Sequence, residues 1–282
     1  MRCLRIIEAV YGLDKEAAVE AYSGFAEVYD RFMDVPYDDW QASVQEVLNR
    51  EEIRDGLLLE LGCGTGQMTE RLAQAGYDMI GVDNSEEMLG IARQIQLDQK
   101  EKKEQGELPP YPDILYLEQD MREFELYGTV RAVISVADTM NYLTDPEDFV
   151  QTLRLVNNYL DPKGIFLFDL KTVHAFRDVL GNATYAFQDE DASLIWENFY
   201  DEDEQLNEYD LTMFLQQENG LFEKQEETHL QRAYTKEEIC QMVAEAGLEL
   251  VSFADADTKG DWTEETERAY VLVREHGKNA EE

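Results

Sequence analysis

Three glycines alternate with Cys63 and Thr65 between Gly62 and Gly66, at the end of the apolar run Leu57-Leu58-Leu59-Glu60-Leu61. Glycine tolerates positive φ and lets a ligand come close to the main chain. A turn of this kind, leaving a strand and opening a helix at Gln67, therefore offers free backbone N–H groups to a polar ligand. A second chemical group, Asp83, closes the next apolar run, Asp78-Met79-Ile80-Gly81-Val82. A carboxylate at that strand end accepts hydrogen bonds from both hydroxyls of a ribose. The combination implies a nucleoside-containing cofactor. Dinucleotide sites space their glycines G-x-G-x-x-G, whereas here the third glycine comes one residue early and Glu60 stands two residues ahead of the first. That carboxylate would repel a pyrophosphate and attract a sulfonium or an ammonium. A nicotinamide oxidoreductase is disfavoured on this ground.

With this acid-x-Gly-x-Gly-x-Gly pattern the chain resembles the class I S-adenosylmethionine-dependent methyltransferases, over roughly residues 55 to 275. The resemblance implies S-adenosylmethionine (SAM) as cofactor, S-adenosylhomocysteine (SAH) as product, and no metal. It gives Gly62, Gly64 and Gly66 the methionine and ribose side, with Glu60 near the amino end. Asp83 would hold the ribose hydroxyls, and Asn84 and Met88 would flank the adenine. In Glu118-Gln119-Asp120-Met121, Asp120 would accept from the adenine amino group and Met121 would supply a backbone contact. It also implies the strand order 3-2-1-4-5-7-6 with strand seven antiparallel. The rule for doubly wound sheets independently puts the ligand at the carboxyl edge where strand order reverses. Packing alone would explain Cys63 as a small filler and Met88 as core, and Asp83 and Asp120 as solvated strand-end acids.

On the acceptor side, Ala137-Asp138-Thr139-Met140-Asn141-Tyr142 follows the fourth strand. It carries neither the Pro-Pro dipeptide of family members acting on adenine N6 or glutamine amides nor the Pro-Cys of those acting on cytosine C5. The expectation is a small-molecule acceptor methylated at N or O by in-line displacement, which alignment and exclusion of water accelerate most. Tyr22 to Asp30 is similar to the segment that closes over the cofactor in many bacterial members, with Tyr29 at the methionine end. Among the histidines, His276 falls in the terminus, His174 follows the fifth strand, and His229 lies where the chain returns from an insert to the core. His229 is the candidate for facing the acceptor. Asp138, Asn141, Trp196, Tyr200 and Arg232 complete the candidate substrate pocket, with Arg232 also readable as an ion-pair partner amid acids.

These residues need a frame. Short β-rich runs alternate with helical segments from residue 56 to 171, the pattern of an α/β, doubly wound, mostly parallel seven-stranded sheet. Helix starts are explicit at Ser85, at Asp145-Pro146 and at the capping-box spacing Thr235 to Glu238, whose helix ends at Gly247. Asp39 to Arg50 reads as an amphipathic helix, residues 1–20 as another, and Lys100 to Pro112 as an exposed loop. Between about 183 and 232 the period becomes that of strands, with turn signals at Asp201 to Glu204 and at Asn219-Gly220, so an antiparallel β insert follows strand five. The domain reading is 1–182 for the N-terminal helices and main core, 183–232 for the cap, and 233–282 for the last helix and two strands.

Composition supports a globular protein: 282 residues, 44% hydrophobic and 11% aromatic, suffice for a large core. With 62 acidic against 24 basic residues the formal net charge is −38. That field repels phosphate backbones and anionic lipid, so neither nucleic acid nor membrane is an expected partner. Three scattered cysteines (Cys3, Cys63, Cys240) imply neither a disulfide framework nor a zinc site. No signal peptide or membrane span is readable, and a cytoplasmic protein is expected, with a homodimer allowed. A second reading keeps the cofactor but drops turnover: an interaction protein whose acidic cap docks on a basic partner.

Overall fold

A computed structural model describes Tyr22 and residues 24–33, 35–107, 109 and 113–278. The helix read over residues 1–20, Cys3 and the Pro110-Tyr111-Pro112 end of the charged loop lie outside the described residues. Among the described residues a 3-10 turn (Phe25–Glu27) precedes a short helix α1 (Tyr29–Phe32) and α2 (Tyr37–Arg50). Then come β1 (Leu57–Leu61), α3 (Gln67–Gln74), β2 (Asp78–Asp83), α4 (Glu86–Glu104), β3 (Leu115–Glu118) and β4 (Val130–Ser135). The helix α5 (Pro146–Tyr159) leads into β5 (Leu160–Lys171). Four further strands, β6 (Ala183–Gln188), β7 (Ala192–Asp201), β8 (Leu206–Gln216) and β9 (Phe222–Arg232), precede α6 (Lys236–Glu245), β10 (Leu248–Asp255) and β11 (Arg268–Glu275).

Seven strands form one sheet in the order β3-β2-β1-β4-β5-β11-β10. β11 is antiparallel to both β5 and β10, and the pairs among β1 to β5 are parallel. This is the expected order, with β10 and β11 as core strands six and seven. Near-continuous apolar strands are what a sheet covered on both faces requires. On one face Leu59, Leu61, Val133 and Phe168 pack with Phe149 and Leu153 of α5 and Ile239 and Val243 of α6. On the other, Leu58, Ile134 and Leu167 pack with Leu48 of α2, Met68 and Leu72 of α3 and Leu89 of α4. Glu60 shares the face of Leu58 and so points toward α3.

The helix starts behave as their residues dictate. Ser85 Oγ accepts from Met88 N, Asp145 accepts from Glu147 N ahead of Pro146, and Thr235 and Glu238 close a reciprocal capping box. Gly247, just past α6, has φ +75°. One boundary needs correcting: Lys100 to Glu104, read as loop, forms the last turn of α4. Its Lys and Glu residues are good helix formers on a solvated face, and the helix ends only before Gly106, at φ +76°.

β6 to β9 make a separate antiparallel sheet in sequence order. Gly220 turns the β8–β9 hairpin at φ +76°, and Asp201 Oδ1 turns β7 into β8 by accepting from Asp203 N and Glu204 N. The inner face of this sheet, with Leu194, Leu211 and Met213, packs on Phe25, Val28 and Phe176. The cap sheet thereby holds the segment before α2 over the edge of the main sheet.

Candidate active site

Sheet order reverses between β1 and β4, and the turns that leave these strands border a cavity of about 490 Å³. Its wall includes Gly62, Cys63 and Gly64 after β1, Asp83, Asn84 and Met88 after β2, and Asp120, Met121 and Arg122 after β3. Tyr22 and Tyr29 cover it from the N-terminal segment, and Glu60 lies at its base. Asp83 is held in place by two main-chain donors, Gly64 N at 2.8 Å and Ser85 N at 2.9 Å. Burial raises its pKa, and those N–H groups oppose the rise. Glu60 is buried and accepts from the Thr69 hydroxyl on α3. Burial pushes its carboxyl up to about 8, against the Thr69 hydrogen bond and with the Asp83 charge adding to the rise.

The three glycines serve three different needs. A Cβ on Gly62 would strike Thr139 Cγ2 at 2.1 Å, so the β1 and β4 turns meet only without one. A Cβ on Gly64 would meet nothing nearer than Met88 Sδ at 3.9 Å; the missing side chain leaves room on the cavity side. Gly66 does not border the cavity. Its place is packing, because a Cβ there would fall 2.4 Å from Tyr116 Oη and 3.0 Å from Ala92 Cβ, and its left-handed backbone starts α3. Cys63 is buried among Asp83 and Glu60 with its thiol pushed up by burial, as a filler residue rather than a nucleophile would be. Asp120 departs from the expectation of a free acceptor. Arg122 donates to both of its oxygens through its main-chain N and its guanidinium at 2.5 to 3.0 Å.

A second cavity of about 270 Å³ adjoins the first, and Tyr22, Tyr29, Ala137 and Tyr142 border both. Its walls are mostly aromatic, from Phe25, Trp40, Trp196 and Tyr209. Its polar groups are Asp138, Lys171, Gln231, His229 and Arg268. Asp138 adopts φ +53° in the turn after β4, where Lys171 Nζ and Arg268 Nη2 each reach it at 2.9 Å. Burial would raise its carboxyl, but those two cations and Gln231 outweigh burial and hold it at about 2. Arg268 also pairs at 2.7 Å with the buried Asp169. The Trp196 indole N–H is buried without a hydrogen-bond partner.

His229 reaches this cavity at 2% exposure, between Tyr142 Oη at 2.9 Å from Nδ1 and Glu227 Oε2 at 3.2 Å from Nε2. Three pocket expectations are corrected. Asn141 is fully buried and spends its amide on main-chain groups: Nδ2 donates to Lys171 O and Arg232 O, and Oδ1 accepts from Lys171 N. It staples β5 to the end of the cap. Tyr200 shares the inner face of β7 with Trp196 but lies farther along, where its ring stacks on Phe176 at 6.2 Å and borders neither cavity. Arg232 is directed to Gln205, Thr144 O and Glu238 outside both cavities.

The residues that sequence reasoning missed are Tyr22, Tyr142, Glu227, Gln231, Lys171 and Arg268. Two signals were present. Gln225, Glu227, His229 and Gln231 share one side of β9 by their spacing of two, and that side faces inward, a polar stripe where a core strand would be apolar. Lys171 ends β5 at the carboxyl edge of the sheet, the place where doubly wound folds bind ligands. Among the described residues no group of acids, cysteines and histidines is arranged to hold a metal ion, and no helix is long and apolar enough to cross a membrane.

A methyltransferase domain model matches residues 29–253. The chain is 35% identical over 256 residues to the "Putative methyltransferase YqeM" of Bacillus subtilis (strain 168), covering 90% of this chain and 96% of that protein. Over 51% of this chain and 56% of the other it is 26% identical to the dTDP-3-amino-3,4,6-trideoxy-alpha-D-glucopyranose N,N-dimethyltransferase of Streptomyces venezuelae. The crystal structure of an S-adenosylmethionine-dependent methyltransferase from Clostridium acetobutylicum ATCC 824 superposes with a TM-score of 0.75 at 27% identity, covering 92% of this chain and all of that one. Taken with the glycine turn and Asp83 at the reversal of strand order, these likenesses establish that the chain belongs to the S-adenosylmethionine-dependent methyltransferases.

Proposed function

We propose that this protein transfers a methyl group from SAM to a nitrogen or oxygen atom of a small molecule held in the aromatic cavity beside the cofactor site. The observation that carries this reading is the shared wall: Tyr22, Tyr29, Ala137 and Tyr142 border both cavities, so a donor in one and a nucleophile in the other meet at that boundary. The donor cavity suits SAM. Asp83 presents a fixed carboxylate to a ribose, Gly64 leaves room beside it, and Glu60 provides a negative partner for the amino end. Asn84, Met88 and Met121 line the adenine end, where Asp120 acts by fixing Arg122 and the adenine edge is left to the main chain at Met121. When bound, SAM supplies a sulfonium-activated methyl group. The chain's own part is to align the acceptor and to exclude water behind Tyr22 and Tyr29.

The small volume of the second cavity, about 270 Å³, supports a small acceptor, and its balance of Lys171 and Arg268 against Asp138 and Asp169 supports one without strong net charge. The partial likeness to a sugar amine dimethyltransferase points the same way. The test is SAH release from labelled SAM when the purified protein meets cell extract split by ultrafiltration. Release with the low-molecular-mass fraction, lost in Asp83→Ala, is the expected result. Release with the macromolecular fraction alone would move the acceptor to a protein or nucleic acid. No release from any fraction would favour an acidic cap that docks a basic partner without turnover.

A further inference from the structure

The inner side of β9 carries a hydrogen-bonded row that packing alone does not require. Glu227 is 4% exposed, and its carboxylate faces the main-chain N–H groups of Tyr22 (2.8 Å), Gly24 (2.5 Å) and Phe25 (2.8 Å) as well as His229 Nε2. Surrounded by donors, it acts as an acceptor and so places a proton on Nε2 of the His229 ring. In the neutral ring Nδ1 is then an acceptor, and Tyr142 Oη donates to it across 2.9 Å. With that proton committed, the 2.6 Å contact between Tyr22 Oη and Tyr142 Oη has Tyr22 as donor. Each O–H in the row thus points toward His229, and Tyr22, which borders both cavities, keeps the lone pairs of its Oη free of that row.

We propose that Tyr22 takes the acceptor's proton and that Tyr142, His229 and Glu227 carry it away, which assigns the acceptor to the class of protic nucleophiles, a hydroxyl or an amine bearing a hydrogen. The proposal rests on the methyl-transfer reading above. The acceptor's lone pair forms the bond to the methyl carbon as the carbon–sulfur bond breaks, its electron pair returning to sulfur. The acceptor's proton passes to Tyr22 Oη, that of Tyr22 to Tyr142, and that of Tyr142 to His229 Nδ1. The resulting imidazolium is balanced by Glu227. Other charged or titratable groups nearby are Tyr29 on the N-terminal segment, Tyr209 opposite His229 on β8, and Asp138 with its partners Lys171 and Arg268. Among the described residues Glu227 is the acid bonded to the ring.

Two measurements test the row. In nitrogen-15 labelled protein with SAH bound, the neutral His229 ring should carry its proton on Nε2 and leave Nδ1 bare. A neutral ring with its proton on Nδ1 overturns the proposal whatever the turnover. With the low-molecular-mass fraction that supports SAH release, Tyr22→Phe and His229→Gln should lower kcat by on the order of 10²-fold near neutral pH while KM for SAM stays close to wild type. Their rates should recover as pH rises and hydroxide takes the acceptor's proton. A loss uniform across pH, or a wild-type rate in both variants, would also overturn it. His229 does not border the cofactor cavity, so the thermal shift given by SAH in His229→Gln reports the fold. Absence of SAH release by the wild type defeats the methyl-transfer reading, while the ring tautomer still decides the row.

Discussion

Gly64 and Glu60 show how single residues set the cofactor site. Gly64 sits at φ +52° and opens toward the cavity. Gly64→Val therefore imposes backbone strain of about 1–2 kcal/mol and also puts a branched side chain where the ribose would lie. The protein should fold with a modestly lowered Tm yet show no saturable SAH binding by calorimetry; near wild-type affinity would remove this turn from the site. Glu60 makes a different prediction. Its carboxyl is raised to about 8, so the folded protein without cofactor favours the protonated form. Its contribution to stability is full below the ordinary carboxylate pKa and declines as pH rises toward 8. A cationic methyl donor favours the ionised form, so binding near pH 7 should release protons, fewer with SAH than with SAM. Calorimetry in buffers of differing ionisation enthalpy counts those protons, and Glu60→Gln should abolish the release. A count that is equal for SAM and SAH would place Glu60 away from the sulfonium, and no release with either would place it away from the amino end as well.

At the scale of elements, much of the frame is written locally. The caps at Ser85, Asp145 and Thr235 and the turn at Asn219-Gly220 need only their neighbours in the chain, and they lie where spacing placed them. The cofactor cavity was legible for the same reason, since Asp83 ends a strand whose apolar run is visible and Glu60 and Asp120 lie within two residues of such strand ends. The acceptor cavity was less so, because it is assembled from β5, β7, β8, β9, β11 and the N-terminal segment, whose meeting depends on how the cap sheet packs. Asn141 illustrates the limit: its sequence position suggested a substrate contact, and its fully satisfied amide is seen only once β5 and β9 are side by side. The two kinds of residue differ in what their loss should cost. Thr235→Ala removes one partly buried cap and should cost about 1 kcal/mol. Asn141→Ala leaves three buried main-chain groups unpaired and should cost on the order of 3 kcal/mol or more. Urea denaturation should show a shift in midpoint at constant slope for both variants, with Asn141→Ala the larger by at least about twofold. Equal shifts would mean that water replaces the amide and that Asn141 is no staple.

At the scale of the whole molecule, the net charge of −38 surrounds a cofactor cavity whose own acids are Glu60, Asp83, Glu87 and Asp120, with Arg122 the cation among its lining residues. Arg122 is spent on Asp120 and Asp148, so the field in the cavity stays negative. SAM carries one more positive charge than SAH, and the same field therefore draws the donor in and loses its hold on the product once the methyl group has left. Screening should act unequally on the two. Raising NaCl from low to physiological ionic strength shortens the Debye length from about 30 Å toward 8 Å and removes the contribution of the distant surface acids, leaving that of the nearby buried ones. The affinity for SAM should fall over that range while the affinity for SAH, which depends on Asp83, the glycine turn and shape, stays nearly constant. Titrations of both compounds at matched pH measure the ratio. A ratio insensitive to salt would show that only the carboxylates inside the cavity are felt, and that the acidity of the remaining surface has no part in exchanging product for donor.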